Sequence, residues 1–208
     1  PYEDTPARDS GVVFIFMGQA GQNSLASPIV RDQSGAGLNE EGDLFGATLA
    51  VGDFTGDGYA DLAVGAPYED YGATNTGGVF VFYGSPSGLG NPVFLAHPDA
   101  NTNKAYNAFG EALASGDFNG DGFADLAVGA PQADYSGVSE TGIVFIFWGS
   151  ASGLGGLPQL LHQGQTPGAN EPGDWFGRAL AAGDFDHDGC DDLAVGTPYE
   201  DRYGTDDG

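Results

Sequence analysis

Residues 53–67, DFTGDGYADLAVGAP, recur as DFNGDGFADLAVGAP (117–131) and as DFDHDGCDDLAVGTP (184–198). Each copy sets oxygen-bearing side chains at alternate positions of a short loop and passes without a break into an apolar run. Phe45-Gly46, Phe109-Gly110 and Phe176-Gly177 precede the three loops, and Gly18, Gly84 and Gly149 close three apolar runs. One period of roughly 65 residues therefore governs the chain, and a fixed period constrains the fold more than any local pattern does. Each unit must bury its faces against units like itself.

Every period reads as four strands. Residues 44–54 supply the first, 60–67 the second, 78–84 the third and 92–97 the fourth, with copies further along. The third strands, VVFIFMG, VFVFYG and IVFIFWG, are apolar without clean alternation, as expected of strands covered on both faces. The fourth strands open on Pro28, Pro92 and Pro158. Proline donates no ladder hydrogen bond, so these strands belong at an exposed sheet edge. Four-stranded sheets set radially make an all-β propeller, which closes with ~4–8 blades. A β-sandwich with decorated turns explains the strands but not the period.

The Phe-Gly pairs, the D-x-[DNT]-x-D-G-x-x-D loops and the closing Gly65-Ala66-Pro67 and Gly129-Ala130-Pro131 together resemble the FG-GAP repeats of integrin α-subunit propellers and their bacterial relatives. Gly196-Thr197-Pro198 departs from the pattern by one residue. The resemblance spans nearly the whole chain. It implies an extracellular adhesion or interaction module.

The loops have the ligand pattern of Ca²⁺, a hard cation that takes 6–8 oxygens. The expected ligands in the second copy are the side chains of Asp117, Asn119, Asp121 and Asp125, with the backbone carbonyl of Phe123 and a turn at Gly122. In the third copy they are Asp184, Asp186, Asp188 and Asp192, with the carbonyl of Cys190. The first copy offers Asp53, Asp57 and Asp61 with the carbonyl of Tyr59, but Thr55 stands at its third position, which predicts the weakest site. Dockerin and EF-hand loops share the opening but need a helix to follow, and DLAVGAP is rich in strand formers. The expectation is three Ca²⁺ per chain, each tying a first strand to a second.

Asp and Glu number 30 against five Lys and Arg, for a formal charge of −25. Such a chain repels nucleic acid and anionic membranes. With 40% hydrophobic residues the acidity does not signal disorder. The apolar runs fall far short of the ~20 residues of a membrane-spanning helix, and no amino-terminal leader is recognisable. Cys190, the single cysteine, excludes internal disulfides. Loops that work at ~10⁻⁴–10⁻³ M calcium suit an extracellular or cell-surface protein. His97, His162 and His187 occupy non-equivalent positions, and no serine or cysteine sits in a nucleophile context, so no enzymatic activity is expected. A lectin-like carbohydrate-binding propeller is the competing reading, followed by a non-catalytic part of a secreted hydrolase.

Antiparallel strand order puts the calcium loops and the GSPSGLG and GSASGLG turns at one end of each blade. The second-to-third-strand loops (67–77, 131–142) and the inter-blade loops lie at the other. These segments differ most between copies, which marks them as the ligand-binding face. All five basic residues, Arg8, Arg31, Lys104, Arg178 and Arg202, are expected there. The repeated Tyr2, Tyr68 and Tyr199 are expected to pack between blades. The chain divides into a half-blade at 1–31, blades at 44–97 and 109–162, and a half-blade at 175–208. Three blades' worth cannot close alone; two chains exchanging ends would make a six-bladed homodimeric ring, and further blades of a longer chain are the alternative.

Overall fold

The computed structural model describes residues 10–33, 41–98, 105–165 and 171–200. Their strands form four antiparallel meanders. β1 (Val13–Ile15) pairs with β2 (Ile29–Arg31). β3 (Thr48–Gly52), β4 (Asp61–Ala66), β5 (Gly78–Phe82) and β6 (Pro92–Ala96) make one four-stranded blade in sequence order. β7 (Ala112–Gly116), β8 (Asp125–Ala130), β9 (Ile143–Trp148) and β10 (Gly155–Leu161) make the second. β11 (Ala179–Gly183) pairs with β12 (Asp192–Gly196). The described residues contain no α-helix, and the all-β propeller architecture read from the period is what the chain adopts.

The strand chemistry accounts for the layering. β5 and β9 are buried along almost their entire length, as their unbroken apolar sequences require. Pro92 opens edge strand β6 opposite Phe82. β10 begins at Gly155, ahead of the proline, because the register shifts between Gly155 and Gln159. That irregularity accommodates Pro158 on the edge.

Neighbouring blades meet through the Phe-Gly and Gly-Ala-Pro elements. Within its own blade Phe45 stands edge-on to Phe80 and Phe82, with ring centroids 5.4 and 6.3 Å apart, and Phe109 does the same with Phe145 and Phe147. The backbone of each such phenylalanine lies on a glycine of the preceding blade. A Cβ at Gly77 would fall 2.2 Å from the Phe109 carbonyl oxygen, and one at Gly142 2.2 Å from that of Phe176. Gly65 and Gly129 in turn receive the carbonyl oxygens of Gly110 and Gly177, each 2.2 Å from where a Cβ would stand. Thr48 Oγ1 donates to the Gly110 carbonyl at 2.7 Å across the same seam. The recurring glycines are the places where one backbone rests on the next.

Candidate functional site

Each acidic loop is curled by its own first carboxylate. Asp117 Oδ1 accepts from the amides of Gly120 (2.8 Å) and Asp121 (3.1 Å), and Oδ2 accepts from Gly122 (2.9 Å). Asp53 accepts from Asp57 and Gly58, and Asp184 from His187, Asp188 and Gly189. The middle carboxylates repeat a shorter turn: Asp57, Asp121 and Asp188 accept from Tyr59, Phe123 and Cys190. Asn119 and Asp186 accept from Asp121 and Asp188 in the same manner. Glycine supplies the left-handed backbone at Gly58, Gly122 and Gly189, with φ of 86°, 89° and 94°. Thr55 Oγ1 reaches Asp53 at 3.4 Å, the longest contact in the set.

The last aspartate of each loop behaves differently. Asp61 and Asp125 are fully buried and anchor the loop to the sheet. Asp61 accepts from the amides of Phe54 (2.8 Å) and Gly84 (2.7 Å), and Asp125 from Phe118 (2.9 Å) and Gly149 (2.8 Å). Burial raises both carboxyls above the usual range. Those amides oppose the shift, while Asp53 and Asp57, or Asp121 and Asp117, add to it. Asp192 accepts from Phe185 at 2.8 Å. Carboxylate oxygens of Asp184, Asp186 and Asp188 lie within 4.8 Å of one another. An all-oxygen donor set gathered this closely fits a hard divalent cation.

The loops also join blade to blade. The Ala124 and Asp191 amides donate to the Asp53 and Asp117 carbonyls, at 3.0 and 2.8 Å. Asp191 Oδ2 accepts the Asp117 amide in return at 2.9 Å. The side chains at the carbonyl-ligand position point across this seam: Phe123 lies against Gly56 and Cys190 against Gly120. Partial burial and then the Asp188, Asp117 and Asp184 carboxylates hold the Cys190 thiol above its usual range, which disfavours a reactive thiolate. His187 is 98% exposed.

The G-S-x-S-G turns lie at this same end, since Gly84 and Gly149 bond the loop aspartates. Tyr83 Oη there accepts the Leu154 amide of the next blade at 2.9 Å. Arg31 also reaches this end: its guanidinium donates to the Leu89 carbonyl in the GSPSGLG turn at 3.2 Å. This corrects its expected place among the variable loops. From the fourth strand the long side chain spans back toward the neighbouring blade's turn. Arg8, Lys104, Arg202 and Tyr2 lie outside the described residues.

At the opposite end the second-to-third-strand loops carry different side chains on one backbone design. Asn75 and Glu140, at equivalent places, both adopt left-handed φ, at 52° and 53°. Asp70 and Asp134 accept their amides at 2.6 and 3.1 Å. Arg178 pairs with Glu111 at 2.9 Å. Tyr135 stacks on His162 at 4.1 Å, and Trp175 donates to Glu140 at 3.2 Å. Tyr199 stands edge-on to Trp175, with ring centroids 5.1 Å apart. Buried polar residues stand at the feet of the inter-blade loops: Gln33 and Asp43, and at equivalent positions His97 and Asn107, and Gln163 and Asp174. Gln33 Nε2 donates directly to Asp43. The recurring [Asp/Asn]-x-Phe-Gly spelling is the sequence signal for these residues.

The FG-GAP repeat family matches residues 45–82, 109–147 and 176–208. Phosphatidylinositol-glycan-specific phospholipase D of Rattus norvegicus is 37% identical over 161 residues, 74% of this chain and 18% of the relative. The human protein of that name is 33% identical over 92% of this chain and 22% of its own length. Integrin alpha-3 of Cricetulus griseus is 34% identical over 90% of this chain and 17% of its own. The chain thus spans about a fifth of the curated relatives it matches.

Proposed function

This chain belongs to the FG-GAP repeat family, and from that premise we propose that it is a non-catalytic, calcium-stabilised propeller scaffold for extracellular protein interaction. The observation that carries this reading is the contrast between the two ends of the blades. One end repeats the same loop design around oxygen donors, each curled by its first carboxylate. The other holds differing side chains on a backbone locked by equivalent turns, which is how a rigid scaffold presents a binding surface. The ions would be held by the alternate side chains of the three loops together with the Tyr59, Phe123 and Cys190 carbonyls. A bound ion supplies charge that offsets the clustered carboxylates.

Binding of the calcium-saturated protein to immobilised matrix glycoproteins, run beside an array of their released glycans, tests the reading. Binding to the protein arm that weakens in Trp175→Ala or Tyr135→Ala supports it. Binding only to free glycans replaces it with a lectin, and binding to neither overturns it. Calcium titration of the loops is expected to fill the third site first and the first site last, following ligand charge. Thr55→Asp is expected to tighten the first site by about tenfold, or ~1.4 kcal/mol. An unchanged titration would remove Thr55 from the ligand set.

A further inference from the structure

Asp191 brings a carboxylate to a seam where the equivalent residue of the preceding copy has none. Its backbone amide donates to the Asp117 carbonyl at 2.8 Å, and its Oδ2 accepts the Asp117 amide at 2.9 Å. One residue of the third loop thus holds both backbone polar groups of the residue that opens the second loop. The seam between the first and second loops is a comparison built into the same molecule. Ala124 takes the place of Asp191 there, and its amide donates to the Asp53 carbonyl at 3.0 Å. A Cβ at Gly52 would lie 2.8 Å from the Ala124 Cβ, as one at Gly116 would lie 2.8 Å from the Asp191 Cβ. The backbone contact is therefore common to both seams. The carboxylate is what the second seam adds, since Ala124 has no acceptor to offer the Asp53 amide.

Both ends of this doubled contact lie at ligand positions. The Asp117 carboxylate gathers the Gly120, Asp121 and Gly122 amides that curl the second loop. Asp191 lies between Cys190, whose carbonyl is an expected ligand of the third loop, and Asp192, whose carboxylate holds the Phe185 amide at 2.8 Å. An ion that fixes residues 190 and 192 also fixes the residue between them, and through it the Asp117 backbone. The second loop then closes on its own ion at a smaller ordering cost.

We propose that Asp191 is a positioning residue that couples the second and third calcium loops, so that filling either one raises the affinity of the other. The coupling rests on the calcium reading of the loops given above. Linkage makes it reciprocal. The acceptor oxygen carries it rather than the charge, because the oxygen is what reaches the Asp117 amide.

Calcium titration of the 208-residue chain, followed by the amide NMR signals of Gly58, Gly122 and Gly189, places one reporter in each loop. Asp188→Ala, which disables the third loop, is expected to raise the Gly122 midpoint about fivefold and to leave that of Gly58 within about twofold. Asp121→Ala is expected to raise the Gly189 midpoint by the same factor. Asp191→Ala reproduces the alanine of the other two copies and is expected to cut both responses to less than about twofold. Asp191→Asn keeps an acceptor for the Asp117 amide and is expected to retain them. A plain loss of negative charge at position 188 would act in either background, so the Asp191→Ala series separates contact from charge. A Gly122 midpoint indifferent to Asp188→Ala, a response that survives Asp191→Ala, or one lost in Asp191→Asn would each overturn the coupling while the calcium reading stands. Three glycine signals that ignore calcium altogether would overturn that reading and the coupling with it.

Discussion

Excess EDTA added to the calcium-saturated protein is expected to lower its melting midpoint by about 15–30 °C. The carboxylates of Asp53, Asp57 and Asp61, and of their counterparts, are gathered by backbone amides in a loop that fits a cation. Without one they repel, and Asp61 and Asp125 are buried with carboxyls already pushed upward. An ion bound only by the folded loop contributes ~2.7 kcal/mol at a hundred times its dissociation constant. Three such sites approach the whole ~5–15 kcal/mol stability of a domain. At ~2–4 °C per kcal/mol for a protein of this size, the expected shift follows. Magnesium restored in place of calcium should recover less, because it demands tight octahedral geometry and releases water reluctantly. Differential scanning calorimetry with and without chelator reads the effect. An unchanged midpoint would show that the loops need no cation.

Gly77→Ala is expected to cost about 2–5 kcal/mol, seen as a fall in the calcium-saturated midpoint. Two penalties coincide. Gly77 has φ of 82°, which costs an L-residue ~1–2 kcal/mol. Its added Cβ would lie 2.2 Å from the Phe109 carbonyl oxygen and 2.5 Å from the Phe109 nitrogen. Backbone atoms cannot swing aside as a side chain does, so the blades must separate, an overpacking cost of ~1–3 kcal/mol. Gly137→Ala is the matched control. Gly137 has φ of 85°, but nothing lies within 4 Å of the added Cβ, so only the backbone term remains. If the two variants melt together, the Gly77 contact does not hold the blades.

The architecture was legible because the period writes each strand several times over. Asp-Leu-Ala-Val-Gly recurs at β4, β8 and β12, and each copy forms the second strand of its sheet. The loops were legible for a similar reason, since alternating oxygen donors followed by a turn glycine act within a few residues of one another. Asp191 was not. It stands where the other copies have Ala60 and Ala124, and its carboxylate works by accepting the Asp117 amide of the neighbouring blade. Arg31 was misplaced because strand order locates its Cα, while the side chain's reach depends on the adjacent blade.

By itself the sequence determined the repeat, the all-β blades, their strand order and the acidic loops, because all of these rest on local pattern and spacing. Tertiary structure alone decided why Phe-Gly and Gly-Ala-Pro recur. Gly65 and Gly129 must lack a Cβ so that the next blade's Gly110 and Gly177 carbonyls can rest there. Burial belongs to the packing of one unit on another, and pattern within a unit does not specify which neighbour it meets.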